Sequence, residues 1–217
     1  MIHKIFNVNN ISTDIVAHYL PLISQQKKEK ILSMNDPFLA SQSLTAEMLA
    51  RQCLSELCDA PESSFQLLIK PDEKSAVTNF SAKIAVSTCG EFVACCASHN
   101  NIGISILKPA PFTFSDLQKN CTDSEIRHIL SDSNQTLTDV IRNGNCTDAR
   151  AIKAYAELIT LKKAQFSASG KVILNNISKI NFIYSDNLVE CMDKDYRISA
   201  FEFHDSYNLA CSVIERC

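Results

Sequence analysis

Ten cysteines and five histidines offer the richest chemistry in this chain, yet their spacing organises none of it. No two cysteines stand as Cys-x-x-Cys, so no zinc ribbon is predicted. Most sit inside apolar stretches such as Phe92-Val93-Ala94-Cys95-Cys96-Ala97, where a reduced thiol packs as a small hydrophobe. Cys95 and Cys96 are adjacent in a predicted strand, so they point to opposite faces and read as packing rather than a redox pair. Cys89 sits in the turn Cys89-Gly90-Glu91 and is the cysteine to weigh as a candidate nucleophile. A nucleophile needs a base, and His3, His18, His99, His128 and His204 form no motif with it. Glu157 follows Lys153 by one helical turn, and such a surface pair contributes roughly 0.2–0.5 kcal/mol.

Phosphate chemistry has no Gly-rich loop to rest on. With four glycines in 217 residues, neither GxxxxGK[ST] nor GxGxxG occurs. A net charge of −3 gives no basic excess for nucleic acid or an anionic membrane. Hydrophobic residues at 46% and charged residues at 21% are ordinary for a soluble globular chain. The opening Met1-Ile2-His3-Lys4-Ile5-Phe6-Asn7-Val8 alternates like a strand and lacks a signal-peptide core. No apolar run approaches the ~20 residues of a membrane span. A reduced, cytoplasmic, monomeric protein is expected, with no nucleic-acid or membrane partner.

The elements that must position any site alternate between helical and strand-rich regions. Residues 22–34, with Gln-Gln-Lys-Lys-Glu-Lys, read as a solvated helix. Asp36-Pro37 starts another, and Leu44, Met48, Leu49, Leu54 and Leu57 give it an apolar stripe. Residues 65–69, 82–87, 92–98 and 102–107 read as strands, and Pro109 and Pro111 as a linker. Thr122 and Glu125 form a capping box for a further helix. Residues 131–145 are polar and carry no assignment. Residues 147–163 read as a long helix, followed by strands at 172–174, 180–184, 196–203 and 207–213. Helices then strands, twice, predict an α+β fold of two similar halves, 1–107 and 108–217.

Several segments, in order, resemble one enzyme family. Ile23 to Lys30 is similar to its early basic helix, and Val86-Ser87-Thr88-Cys89-Gly90 to an Ile-Ser-His-Ser-Gly strand end. Gly103-Ile104-Ser105-Ile106-Leu107 stands where the family has Gly-Ile-Asp-Ile-Glu. Ala156-Glu157-Leu158 matches its Lys-Glu-Ala, and Ser206-Tyr207-Asn208-Leu209-Ala210-Cys211 its closing Gly-Tyr-x-x-Ala-Val. The family is the surfactin-synthetase-activating type of 4′-phosphopantetheinyl transferase. The resemblance implies two pseudo-symmetric α/β halves with coenzyme A in the cleft between them. It also implies transfer of phosphopantetheine to a serine of an acyl or peptidyl carrier protein in a polyketide, nonribosomal peptide or fatty acid pathway.

That reaction needs the diphosphate charge neutralised, which Mg²⁺ with oxygen ligands does. By the resemblance, two metal acids would stand at Ser105 and Leu107, and only Glu157 remains as a metal-ligating and catalytic carboxylate. Leu cannot ligate a metal and Ser is a poor ligand for hard Mg²⁺, so Mg²⁺ is expected to bind weakly or not at all. The family His falls at Thr88, a basic residue at Gln42, a Trp and a Lys at Lys153 and Ala156, and a later Lys at Leu161, beside which Lys162 can partly substitute. Lys27, Lys30 and Lys74, with the hydroxyls of Ser87 and Thr88, are the remaining candidates for holding coenzyme A. Three functions stay open: a transferase with an altered metal site, a non-catalytic carrier-protein or coenzyme A binding module, and a new enzyme in the same cleft.

Overall fold

Asp36 and Asp148 each start a long helix by accepting backbone N–H groups at its open end. Asp36 takes those of Phe38 and Leu39, with Pro37 in the first turn, where its missing N–H costs nothing. Asp148 takes those of Arg150 and Ala151. The computed structural model describes residues 1–68, 76–77, 79–170, 177–185 and 188–217. In chain order its elements are β1 (Ile2–Asn7), α1 (Thr13–Tyr19), α2 (Gln25–Leu32), α3 (Pro37–Cys58), β2 (Leu67–Leu68), β3 (Ala76–Val77), β4 (Lys83–Cys89), β5 (Phe92–Ser98) and β6 (Ile102–Leu107). They continue with α4 (Phe114–Asn120), α5 (Asp123–Ser131), α6 (Leu137–Asn143), α7 (Ala149–Ala168), β7 (Phe182–Ser185), β8 (Leu188–Cys191), β9 (Tyr196–His204) and β10 (Leu209–Arg216).

The architecture is α+β, as expected. One sheet runs β1-β5-β4-β3-β2 and another β6-β10-β9, while β7 and β8 form a hairpin; every pairing is antiparallel. Helix α3 lies on β5 and β1, and α7 lies on β6 and β10. The remaining faces of the two sheets meet each other through Ala94 and Cys96 on one side and Ile104, Ile106, Cys211 and Val213 on the other. Strand β5 is therefore buried on both faces. Val93, Cys95 and Ala97 join the α3 core, and Phe92, Ala94 and Cys96 join the core between the sheets. That settles the two adjacent cysteines as packing residues. All ten cysteines are free thiols.

Strand β6, placed at the end of the first half by sequence, pairs with β10 near the chain's end. Its close approach to α7 depends on Gly103. A Cβ there would lie 2.1 Å from the Ala164 carbonyl oxygen and 2.5 Å from the Ala168 nitrogen.

Several expected elements shift. The helix at 22–34 shortens to α2, and the chain before it holds α1, capped by Ser12. The unassigned stretch 131–145 contains α6, started by a Thr136/Asp139 capping box. The last strand begins at Leu209 rather than residue 207, because 205–207 form a single 3₁₀ turn closed by Asn208 at φ 47°. The hairpin strand β8 has no counterpart in the sequence reading. The expected strand at 172–174 and Lys74 lie outside the described residues.

Candidate functional site

Side chains alternate along a strand, so Gly103, Ser105 and Leu107 share the face of β6 that looks at α7. Ser105 pairs across the ladder with Ser212, and Leu107 with Ala210. The Ser212 hydroxyl lies 2.7 Å from that of Thr160, which itself donates to the Glu157 carbonyl at 2.8 Å. Ser212 is then the donor to Thr160, since each hydroxyl has one proton. Ser105, Ser212 and Thr160 thus follow one another from strand to helix, and Thr160 meets Glu157 at its main-chain carbonyl, not at its carboxylate. Ser105, Ser212 and Thr160 are buried, whereas Glu157 is half-buried.

From the other sheet, β4 reaches the same strand. The Ser87 hydroxyl accepts the Ile106 N–H at 3.2 Å, and the Cys89 thiol accepts that of Lys108 at 3.3 Å. Cys89 is thus engaged in fastening the segment after β6. Thr88 falls between them on the opposite, exposed side of β4. Of the two predicted hydroxyl donors, only Ser87 is turned toward β6.

Glu157 lines a cavity of about 260 Å³ between the start of α7 and the end of α5, together with Arg150, Lys153, His128 and Asp132. Burial raises the Glu157 pKa, and the nearby Lys153 charge opposes this in part. Lys153 does not close the expected contact with Glu157. It turns to Asp205, 4.0 Å away, and sits 4.0 Å from the centre of the Phe203 ring. Arg150 donates to the Asp132 carbonyl at 3.4 Å. Two cations in the first turns of α7 oppose the helix dipole. That unfavourable placement is the signal by which sequence reasoning, which passed over Arg150, could have found it.

The other predicted residues do not gather here. Lys27 and Lys30 ride on α2, which packs on α3. Lys27 is half-buried. Burial lowers its pKa, the Glu47 charge raises it, and Lys30 lowers it again. Glu47 itself is buried and paired with Arg51 at 3.1 Å. Lys30 is exposed at the end of α2. Gln42 donates to the Gly90 carbonyl at 2.7 Å, so it fastens the β4–β5 turn to α3. Lys162, expected to substitute for a phosphate-binding lysine, is fully buried and bonded to Glu125 at 2.8 Å. The carboxylate that closes the α5 capping box is the partner that makes Lys162 unavailable to a ligand.

Glu157 is the single acid among the three positions that the resemblance assigns to a metal. Ser105 offers a buried hydroxyl and Leu107 none. This donor set does not fit Mg²⁺, which is bound by carboxylates and water. Among the described residues, no group of three His, Cys, Asp or Glu side chains is arranged to hold a metal, and no helix is long and apolar enough to cross a membrane. No protein-family model matches the chain, and no curated protein matches it.

Proposed function

We propose that this chain is a two-half protein of the 4′-phosphopantetheinyl transferase type, impaired in or repurposed from transfer, that binds coenzyme A or a carrier protein. The observation that carries the reading is a repeated connection. In β1-β5-β4 an opening strand pairs with the last strand of its sheet, which pairs with the strand before it, and the long helix α3 covers the result. In β6-β10-β9 with α7 the same order recurs. A chain built of two such units has β6 as the opening strand of the second, and the boundary falls at the turn before Ile102. This supports two pseudo-symmetric halves on grounds independent of the residue matches.

The substituted residues argue against efficient transfer. Attack by a carrier serine on the β-phosphorus builds negative charge that Ser105 and Leu107 cannot offset. Arg150 and Lys153, beside Glu157, are the cations at this site that would meet phosphate oxygens. Binding therefore outlasts chemistry in this reading.

The test incubates the protein with a panel of apo carrier proteins, coenzyme A and Mg²⁺, and reads intact mass. The expected result is no gain of the phosphopantetheine mass, while calorimetry detects coenzyme A or a carrier protein binding. Transfer at the rate of a transferase with all three acids would overturn the impairment. Absence of both transfer and binding would overturn the whole reading.

A further inference from the structure

One face of α5 borders two cavities. Ser124, His128 and Ser131, with the C-cap Asp132, follow one another on it at spacings of three and four residues, which sets their side chains in a row. At the end of the helix this face borders the cavity already described, where Arg150, Lys153 and Glu157 lie one, one and two turns along α7. At the start of the helix it borders a cavity of about 470 Å³ beside the β7–β8 hairpin, with Phe182, Ile183 and Met192 in its wall. His128 lines both cavities. At 1.5 Å per residue the face runs roughly 12 Å from Ser124 to Asp132.

The two ends of this face differ in chemistry. At the α7 end, Arg150 gives one bond at 3.4 Å to the Asp132 carbonyl, and Lys153 lies 4.0 Å from Asp205. Both keep further N–H donors for an anion. The acids of the same cavity, Asp132 and Glu157, oppose that anion, so it gains little there on its own. At the hairpin end, Ile183 and Met192 are 46% and 60% exposed, and among the described residues the wall holds no Lys, Arg, Asp or Glu. The Thr122 and Ser124 hydroxyls lie 3.0 Å apart and bond each other, while Oδ1 of Asn181 and Oη of Tyr184 are shut off from solvent. Between the ends, the His128 ring lies on that of Tyr184 with centroids 3.8 Å apart and planes at 22°. Burial lowers the His128 pKa, opposed by Asp132, so this middle stretch is uncharged at physiological pH.

We infer that this face of α5 is the floor of a groove for a single-chain anionic amphiphile, with its phosphate or carboxylate head at Arg150 and Lys153 and its alkyl chain crossing His128 onto Ile183 and Met192. An extended chain advances roughly 1.2 Å per bond, so about eight carbons cover most of the face. A neutral chain would leave the cations unused, and an anion without a chain would leave Ile183 and Met192 in water. A peptide would strip water from its amides at the hairpin end, where the Asn181 oxygen and the Tyr184 hydroxyl are closed to it. The groove shares Arg150 and Lys153 with the proposed coenzyme A contacts, but the inference does not rest on that reading.

The test titrates the full chain with octyl phosphate, octanoate, methyl phosphate and octanol, following heat and the Met192 methyl resonance. At least one of octyl phosphate and octanoate is expected to bind and to shift that methyl, with methyl phosphate and octanol each at least about tenfold weaker. The tighter of the two amphiphiles identifies the head group. Arg150→Ala with Lys153→Ala, and Ile183→Ser with Met192→Ser, should each weaken that amphiphile at least about tenfold. Arg150, Ile183 and Met192 are exposed and Lys153 is partly so, and the core is left intact by both pairs. Failure of both amphiphiles to bind at millimolar concentration, equal binding of octanol or methyl phosphate, an unmoved Met192 methyl, or affinity unchanged in either pair of variants overturns the inference. Coenzyme A titrated alongside separates the two readings: its binding without that of the amphiphiles overturns this inference alone.

Discussion

The hydroxyl of Ser98, on β5, donates to the carboxylate of Glu215, on β10, so a buried hydrogen bond joins the two sheets at one edge of their shared core. Arg197 holds the other oxygen of Glu215 at 2.7 Å and Ser199 does so at 2.9 Å. Burial alone would raise this carboxyl's pKa. The bonds from Ser98, Arg197 and Ser199 outweigh it and leave the pKa below its ordinary value. A depressed carboxylate contributes stability above the pKa it has in the unfolded chain, and that stability is lost as pH falls through the folded value. Glu215→Gln should therefore cost about 1–3 kcal/mol at neutral pH and progressively less on acidification. Urea denaturation of both proteins between pH 7 and pH 3 checks this; a cost that does not change with pH would refute it.

The buried pair Lys162–Glu125 gives a prediction with two arms. Lys162→Ala strands a carboxylate that is 1% exposed and should cost about 3–5 kcal/mol. Lys162→Met with Glu125→Gln removes both charges, and Gln still closes a capping box. The double variant should be more stable than Lys162→Ala. If the two are equally unstable, lost packing and not an unpaired charge is the cause.

Gly103 sets the distance between β6 and α7. Gly103→Ala drives a Cβ into backbone of α7, where no side chain can yield, and should cost about 3 kcal/mol or more. Thermal melting of the variant measures it. A neutral result would mean that α7 can lift from β6.

The proposed binding of coenzyme A predicts a difference between two sets of cations. Lys27 is half-buried and feels the charge of Glu47, whereas Arg150 and Lys153 line the cavity that holds Glu157. Replacing Arg150 and Lys153 together by Ala should weaken coenzyme A at least about tenfold and flatten its salt dependence. Replacing Lys27 and Lys30 together should weaken it less. Calorimetry at two ionic strengths measures both, and the reverse order would move the phosphates to α2.

The features legible in the sequence were those with local causes. Asp36-Pro37 and Thr122/Glu125 announce their helices within four residues. The apolar run 92–97 announces a strand buried on both faces. Helices α1 and α6 are seven residues each, too short to show a period, though Thr136/Asp139 repeats the box read at Thr122. The true roles of Lys162 and Gln42 depend on partners 37 and 48 residues away. No local pattern distinguishes a buried, paired lysine from a solvated one. The site was legible in part for the same reason. Strand alternation puts Ser105 and Leu107 on one face, but the pairing of Ser105 with Ser212 and the hydrogen bond from Ser212 to Thr160 on α7 need the fold.

That packing sets the terms for placing acids at the two positions where the resemblance expects them. Ser105→Asp with Leu107→Glu places two carboxylates on the α7 side of β6, one of them beside the buried Ser212 and Thr160 hydroxyls. Ser105 is 4% exposed, so an unpaired charge there costs several kcal/mol, on the order of a buried ion without its partner. The double variant should melt well below the unaltered chain in the absence of metal. Mg²⁺ at a hundred times its dissociation constant should return about 2.7 kcal/mol by binding the folded state alone. The unaltered chain, with Glu157 as its one acid there, should not gain. Differential scanning calorimetry with and without Mg²⁺ makes the comparison. Mg²⁺ raising the melting temperature of the unaltered chain as much as that of the variant would show that the metal does not use these positions. If the variant gains stability but no transfer, the impairment lies with Gln42, Thr88 and Ala156, where the resemblance expects phosphate-binding side chains and the chain supplies a turn fastener, an exposed hydroxyl and a buried methyl.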